Sequence, residues 1–518
     1  MASAKKARRQ QRTEPAVVAA ARPELVPPIA KLLLACVAVV ALFAWIRFSA
    51  SQPWSYDEYY HLGLAREMRS DFRIESFRWT PFSILFDRFV DGAPLFHVLL
   101  MPFATLPLET AAFLGVLLGQ IFVVGALAWA LWSLRVPRPW WFVLALPALG
   151  PFFVQRLEMC RPQVWLIGFA MLVIGLLAGR WWKALVVVCA LFGLTHVGGW
   201  IAIPMAVLWS LSGLVVRGEP DSRRVPWQPV AATAGGWLLG QLAHPQVPEN
   251  FRLFFVSNFV IPFQAAGGGD AALRSQLGTE LTPLGAGLLA DQWPAFAAPL
   301  IVAAALLFVA RLRSRATLTG GLMALAFFGA GCFFARRFFE LGAPLAVLAL
   351  ALVAREWRGR GLSSQPWLRW AAGGLIAVGA LWTFSAVRTL GFGLLSPPRA
   401  MAEWLGENGK PGERVFTAQW ADSSPLFYSA PRLQSLVALD PTNFYRKDPA
   451  LFAAYVAVIE GRDPDPARTI RERFGARWVA IWRQPAYQQL AYQLNASPGA
   501  RIVFNDEDYV VMDLGARR

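Results

Sequence analysis

Eleven stretches of this chain are apolar over all or most of the length needed to cross a bilayer of about 30 Å. They fall at 29–50, 109–134, 139–155, 162–179, 183–196, 197–216, 228–245, 293–311, 317–335, 338–354 and 368–393. A chain so patterned holds far more apolar surface than one soluble core could bury, and 56% of its residues are hydrophobic. The fold class is therefore a polytopic α-helical membrane protein of about eleven transmembrane helices. A formal net charge of +16 could suggest nucleic acid. The basic residues, however, sit in short clusters between apolar runs rather than in one stripe, which excludes nucleic acid and matches the tendency of basic loops to stay in the cytoplasm.

That tendency orients the chain. A basic tail, residues 1–28, starts in the cytoplasm, and the first run reads as an uncleaved span. The loop 51–108 is then outside, and Arg135 to Arg138 inside. Gln155 to Arg161 is outside, Arg180 to Lys183 inside, His196 outside, and Arg217 to Arg224 inside. His244 to Leu281 is outside, Arg311 to Arg315 inside, Arg336-Arg337 outside, and Arg355 to Arg360 inside. The run Pro94 to Pro107 is too short to cross and is predicted to lie along the interface. His196-Val-Gly-Gly199 supplies the turn between 183–196 and 197–216, and fusing that pair would invert every later assignment.

The predicted domains are thus the tail 1–28, a membrane domain 29–396 and a soluble domain 397–518 on the non-cytoplasmic side. Strand-like segments at Arg414–Ala418, Trp478–Trp482, Arg501–Phe504 and Tyr509–Met512, with a helix at Pro466–Phe474, predict a small α/β domain. The four cysteines lie in or beside spans, so no disulfide framework is indicated. Paired tryptophans at Trp140-Trp141 and Trp181-Trp182 read as interfacial anchors.

Candidate chemistry gathers on the outer side. Asp57 and Glu58 follow the first span directly and lead into a helical pattern, with Tyr60 beside them and His61 four residues after Asp57, on the same helix face. An acid there could equally cap the helix. Glu158 is a second outer acid, whose structural alternative is a local ion pair with Arg161 or Arg156. Arg336 and Arg337 run against the positive-inside trend, which points to lipid phosphate as ligand or, structurally, to pairing with Glu340. His97, His196 and His244 complete the outer set, as substrate contacts or as buried hydrogen-bonding groups.

Together these features resemble the C-type glycosyltransferase superfamily, membrane enzymes that take sugars from polyprenyl-phosphate carriers and include protein mannosyltransferases and aminoarabinose transferases. The resemblance rests on Asp57-Glu58 with Tyr59-Tyr60-His61, on Asp91-Gly-Ala-Pro-Leu-Phe-His97 where many relatives carry a double proline, and on the soluble domain after the last span. It implies an inverting transfer of sugar from a polyprenyl-phosphate donor to an extracytoplasmic acceptor glycan, lipid or protein; the high alanine and arginine content points to a bacterial inner membrane. Asp57 would be the general base or orienting acid, with Glu58 the alternative. Arg336 or Arg337 would meet the phosphate, and a divalent cation (Mg2+ or Mn2+), if used, would sit at Asp57 and Glu158. Partners would be the donor, the acceptor and membrane lipids. The rival readings are a transporter or flippase of lipid-linked glycans, for which internal repeats and mid-span ionisable groups are wanting, and a non-catalytic partner in glycan assembly.

Overall fold

The predicted runs become helical, all but 139–155 as single helical segments, because a backbone in lipid must satisfy its own hydrogen bonds. A computed structural model describes residues 28–49, 55–216, 226–264, 270–283, 293–308, 314–358, 366–391, 398–437 and 440–515; the basic tail up to residue 27 lies outside these. Among the described residues seven helical segments are long and apolar enough to cross a membrane: Pro28–Phe48, Leu108–Ser133, Pro162–Gly179, Val197–Val215, Arg315–Phe333, Arg336–Glu356 and Trp370–Arg388. Trp182–Thr195, Gln228–Leu242 and Trp293–Phe308 are shorter helices of 14, 15 and 16 residues. The run 139–155 is broken into Trp140–Leu144, a tight turn at Leu146–Leu149 and Pro151–Leu157. Pro147 has no N–H to continue the ladder, and Gly150 takes a φ of 104° that side-chain-bearing residues avoid.

Lipid is as apolar as a protein interior, so hydropathy alone cannot say which helices are central; close packing through small residues does. Pro162–Gly179 is 78% buried and Trp370–Arg388 only 17%, which puts the first in the middle of the bundle and the second on its rim. A Cβ on Gly168 would lie 2.5 Å from the Phe122 ring, and one on Gly175 2.5 Å from Trp129. These two glycines let Leu108–Ser133 lie directly against the central helix.

Among the described residues, helix ends gather in two groups. At one end Arg135, Arg180, Trp209, Ser314 and Arg355 line a shared cavity, and Arg355 donates to the Leu134 carbonyl and the Ser314 hydroxyl. Arg180 precedes Trp182–Thr195 and Trp209 lies near the end of Ala202–Val215, so the chain goes up one helix and returns down the next. The pair at 183–216 is therefore two helices running in opposite directions, with extended His196 between them. At the other end gather Asp57, His61, His97, Glu158, Arg161, His196, His244, Glu280, Arg336 and Arg337.

Residues 398–515 form an α/β unit around a five-stranded sheet. Its strands are β1 Arg414–Thr417, β2 Gln434–Ser435, β3 Trp478–Trp482, β4 Arg501–Asn505 and β5 Tyr509–Asp513, in the order β2-β1-β3-β5-β4. β2-β1-β3 are parallel, whereas β5 and β4 pair antiparallel beyond β3. The predicted helix at Pro466–Phe474 is present as Pro466–Thr469 continuing into a wider turn, Ile470–Phe474. Two residues long, β2 carries too short an alternation to be read from sequence.

This unit docks on the loop after the first span. Helix Ser423–Ser429 lies on helix Tyr56–Met68, where a Cβ on Gly63 would fall 2.9 Å from the Phe427 ring. Arg66 donates to the Tyr428 carbonyl at 2.6 Å, Trp79 Nε1 to the Pro431 carbonyl at 2.8 Å, and Ser435 N to the Trp79 carbonyl at 2.8 Å. Phe82 packs on Phe444 and Phe474 of the α/β core.

Candidate active site at the acidic end of the bundle

Helix Tyr56–Met68 begins eight residues after the first span helix ends at Phe48, and Asp57 and Glu58 sit in its first turn. Successive helical residues point about 100° apart, and the two neighbours go separate ways. Glu58 turns inward and is fully buried; Arg47 Nη2 donates to its Oε2 at 2.9 Å, and the Cys160 amide to its Oε1 at 3.4 Å. Asp57 stays 35% exposed, with Arg161 Nη1 at 3.9 Å from its Oδ2. The N-cap is Ser55 without a side-chain cap bond, so Asp57 is placed by the arginine side of the bundle rather than by a capping contact.

The group around Asp57 comes from four segments. Arg156, at the end of Pro151–Leu157, donates from Nε to Glu340 at 2.6 Å and from Nη2 to Glu280 through a close contact. Arg161 lies 3.6 Å from Glu280 and 3.8 Å from Glu340. Protein surrounds the Asp57 carboxyl even though a third of it is exposed, and burial raises its pKa against the lowering influence of Arg161. Burial alone would raise Glu280 as well; there Arg156, Arg161 and Arg337 prevail and hold the carboxyl far below its ordinary range. One recess thus contains a carboxyl whose charge burial disfavours and another whose charge the arginines hold.

The remaining predicted residues fall into three groups. Arg336 and Arg337 are half-buried beside this network: the Arg336 amide donates to the Thr282 carbonyl at 3.0 Å, and Arg337 lies 6.0 Å over the Phe338 ring. Neither has a described salt bridge to Glu340, which is held by Arg156. His196 takes the Gly198 amide on Nδ1 at 2.8 Å, which leaves the hydrogen on Nε2, and burial, then Arg337 and Arg161, push its pKa down to about 3. His61, His97 and Asp91 form a buried chain. His244 supports that chain, donating from Nε2 to the Asp91 carbonyl at 2.9 Å and accepting the Gln246 amide on Nδ1 at 3.1 Å. Both its ring nitrogens are engaged by protein. Tyr60 is buried among His61, His97, Phe77 and Phe427, at the seam with the α/β unit.

Glu158 pairs with neither Arg156 nor Arg161. It is fully buried, accepts from Gln120 Nε2 at 3.0 Å, and is pushed well above the carboxylate range by burial, with Arg47 opposing and Glu58 adding to the shift. This bears on a divalent cation at Asp57 and Glu158. Glu158 is turned into the Arg47–Glu58 core, and the acids nearest Asp57 are already bridged by two guanidinium groups. The donor set fits arginine rather than a metal ion, and among the described residues no cluster of three or more His, Cys, Asp and Glu side chains is arranged to hold one.

Sequence reasoning missed Glu280, the place of Asp91 in the buried histidine chain, Arg47, and a further buried acid, Asp422. Asp422 accepts from Tyr509 Oη at 2.9 Å and also bonds Tyr56, the residue before Asp57; burial pushes its pKa up to about 8 against those two bonds. None of these lies in a local pattern: each is defined by partners far along the chain. Cavities of 680 Å³ and 450 Å³ lie at the opposite, basic end, lined by Trp129, Trp132, Trp140 and Arg135 in the first case, and are separate from this group.

No family model matches the chain, and no curated protein matches it by sequence. Solved structures do. The oligosaccharyltransferase AglB from Archaeoglobus fulgidus, in complex with an inhibitory peptide and a dolichol-phosphate, superposes with a TM-score of 0.62 at 13% identity, over 88% of this chain and 69% of its own. ArnT from Cupriavidus metallidurans, bound to undecaprenyl phosphate, gives 0.57 at 15% identity over 93% and 98%. The same ArnT in the apo state gives 0.54 at 16% over 95% and 99%. The fold of this multi-pass membrane protein is that of these solved structures.

Proposed function

We propose that the protein transfers a sugar from a polyprenyl-phosphate carrier, with inversion, to an acceptor that arrives from the non-cytoplasmic side of a bacterial inner membrane. The observation that carries this reading is the recess in which Asp57 is partly exposed beside Arg161, in a fold whose solved examples bind dolichol-phosphate and undecaprenyl phosphate. An attacking hydroxyl or amine needs a carboxylate to accept its hydrogen bond and orient it. The leaving phosphate needs fixed positive charge, which arginine supplies through its fork. Asp57 answers the first demand and Arg337, with Arg336, the second. Glu58 is the framework acid of the pair, because its charge is committed to Arg47. The α/β unit, docked on helix Tyr56–Met68, is placed to shape the acceptor side.

Transfer of radiolabelled sugar from a panel of polyprenyl-phosphate donors by the purified protein tests this. Transfer that falls about 10²–10⁴-fold in Asp57→Asn is the expected outcome. Undiminished turnover in that variant defeats the assignment of Asp57.

A further inference from the structure

Asp91, His97 and His61 are joined in series. Oδ2 of Asp91 lies 2.7 Å from Nδ1 of His97, and Nε2 of His97 lies 2.7 Å from Nδ1 of His61. They are 3%, 1% and 8% exposed, so a bond between them is not diluted by water. The chain is held at each joint. The Ala93 amide donates to Oδ1 of Asp91 at 2.9 Å, His244 grips the Asp91 carbonyl, and the rings of Tyr60 and Phe96 stand edge-on to His61 at 5.3 and 5.2 Å.

A carboxylate at 2.7 Å fixes a hydrogen on Nδ1 of His97, since a lone pair there would face a negative charge. Two proton arrangements then satisfy both short contacts. In one, both rings are neutral, His61 donates from Nδ1 to Nε2 of His97, and Nε2 of His61 carries a lone pair. In the other the chain holds one more proton: His97 is an imidazolium beside Asp91 and donates to Nδ1 of His61, whose Nε2 now bears hydrogen. The two interconvert when a proton arrives at Nε2 of His61, the only ring nitrogen of the pair without a partner among the described hydrogen bonds. Its charged and titratable neighbours are His97, Arg161 and His196, and burial followed by these three disfavours a cation resting on His61 itself.

We propose that His61, His97 and Asp91 form a proton relay that takes up the proton released by the acceptor nucleophile, entering at Nε2 of His61 and ending as a His97 imidazolium paired with Asp91. The inference rests on the transfer reaction proposed above. As the nucleophile's oxygen or nitrogen bonds to the anomeric carbon, the bond from that carbon to the phosphate oxygen breaks and its electron pair leaves with the lipid phosphate. The nucleophile's proton passes to Nε2 of His61, and the hydrogen on Nδ1 of His61 passes to Nε2 of His97. Asp57, one helical turn before His61, orients the nucleophile toward both. The reverse hop discharges the proton to water once product departs.

The test is kcat as a function of pH for wild type, His61→Gln and Asp91→Asn, with folding checked by gel filtration. His61→Gln is expected to lose about 10²–10³-fold in kcat with little change in KM for the donor. Wild-type kcat falls at acid pH as the relay fills. Removing the Asp91 charge disfavours the imidazolium, so in Asp91→Asn that limb moves to lower pH, which a purely structural role would not cause. Wild-type kcat in His61→Gln, or an unmoved limb in folded Asp91→Asn, overturns the relay while leaving the transferase reading intact. Should the wild type transfer from no donor, the reaction fails and the relay is read separately, from ¹⁵N spectra of histidine-labelled protein. His61 and His97 signals that shift together on acidification, and no longer do so in Asp91→Asn, uphold it; independent titrations overturn it.

Discussion

Adjacent acids with opposite duties can be separated by one pair of isosteric changes. Glu58→Gln removes the charge facing Arg47, two groups that are 0% and 4% exposed. Breaking a buried ion pair by neutralising one partner costs about 3–5 kcal/mol. The lower end applies here, about 3 kcal/mol, because the amide oxygen can still accept from Arg47. Asp57→Asn orphans nothing: Arg161 keeps Glu280 at 3.6 Å and Glu340 at 3.8 Å. Since burial already disfavours the Asp57 charge, its loss should leave stability within about 1 kcal/mol of wild type. Thermal unfolding in detergent, followed by tryptophan fluorescence, reads the first quantity, and sugar transfer per folded molecule reads the second. The expected result is a crossed pattern: Glu58→Gln melts lower yet its folded fraction works, whereas Asp57→Asn melts as wild type and does not. A stable, inactive Glu58→Gln beside an active Asp57→Asn would refute the division of roles.

Two further outcomes follow from the seam between the α/β unit and the first-loop helix. Asp422 is fully buried and its folded pKa, about 8, lies above its ordinary 3.8; between those values the folded state binds a proton that the unfolded state has released, so stability falls as pH rises from about 4 to about 8, by at most about 1.4 kcal/mol per unit, and levels off above. Melting temperatures across that window should slope downward in wild type and flatten in Asp422→Asn; parallel slopes would remove Asp422 as the cause. Gly63→Leu should prise Phe427 off helix Tyr56–Met68 and raise hydrogen–deuterium exchange on both sides of the seam, with the spans unaffected; unchanged exchange would mean that the ring moves aside freely.

What the sequence made legible is what depends on neighbours in the chain. Apolar runs and basic connections are local, and they yield the bundle, its two ends and the turn at His196. Four of the five strands carry a readable pattern of their own. The site is different, because its members are chosen by partners. Nothing within Asp57-Glu58 says which acid meets Arg47, eleven residues earlier, and which faces Arg161, more than a hundred residues later. Glu158 looks like a companion of Asp57 by sequence neighbourhood, with Arg156 and Arg161 flanking it, yet the turn at Glu158 points the two arginines one way and the acid the other. Likewise His97 and His61 are 36 residues apart, and only packing of helix Pro94–Leu100 on helix Tyr56–Met68 makes them consecutive.

If the proposed reaction holds, the charges at the acidic end favour one arginine for the donor phosphate. Arg156 is saturated by Glu280 and Glu340, and Arg161 is shared among Asp57, Glu280 and Glu340. Those two cations are matched by three carboxyls, of which Asp57 is the one whose charge burial disfavours. Arg337 has no carboxylate within salt-bridge distance among the described residues, and its charge is felt by Glu280, His196 and Asp440 around it. In the proposed reaction the phosphate gains negative charge as the sugar leaves. A guanidinium with its fork uncommitted stabilises that change more than one already neutralised, because its interaction grows between ground state and transition state instead of being present throughout. Arg337, rather than the better-buried Arg156 or Arg161, is therefore the side chain on which departure of the carrier should depend.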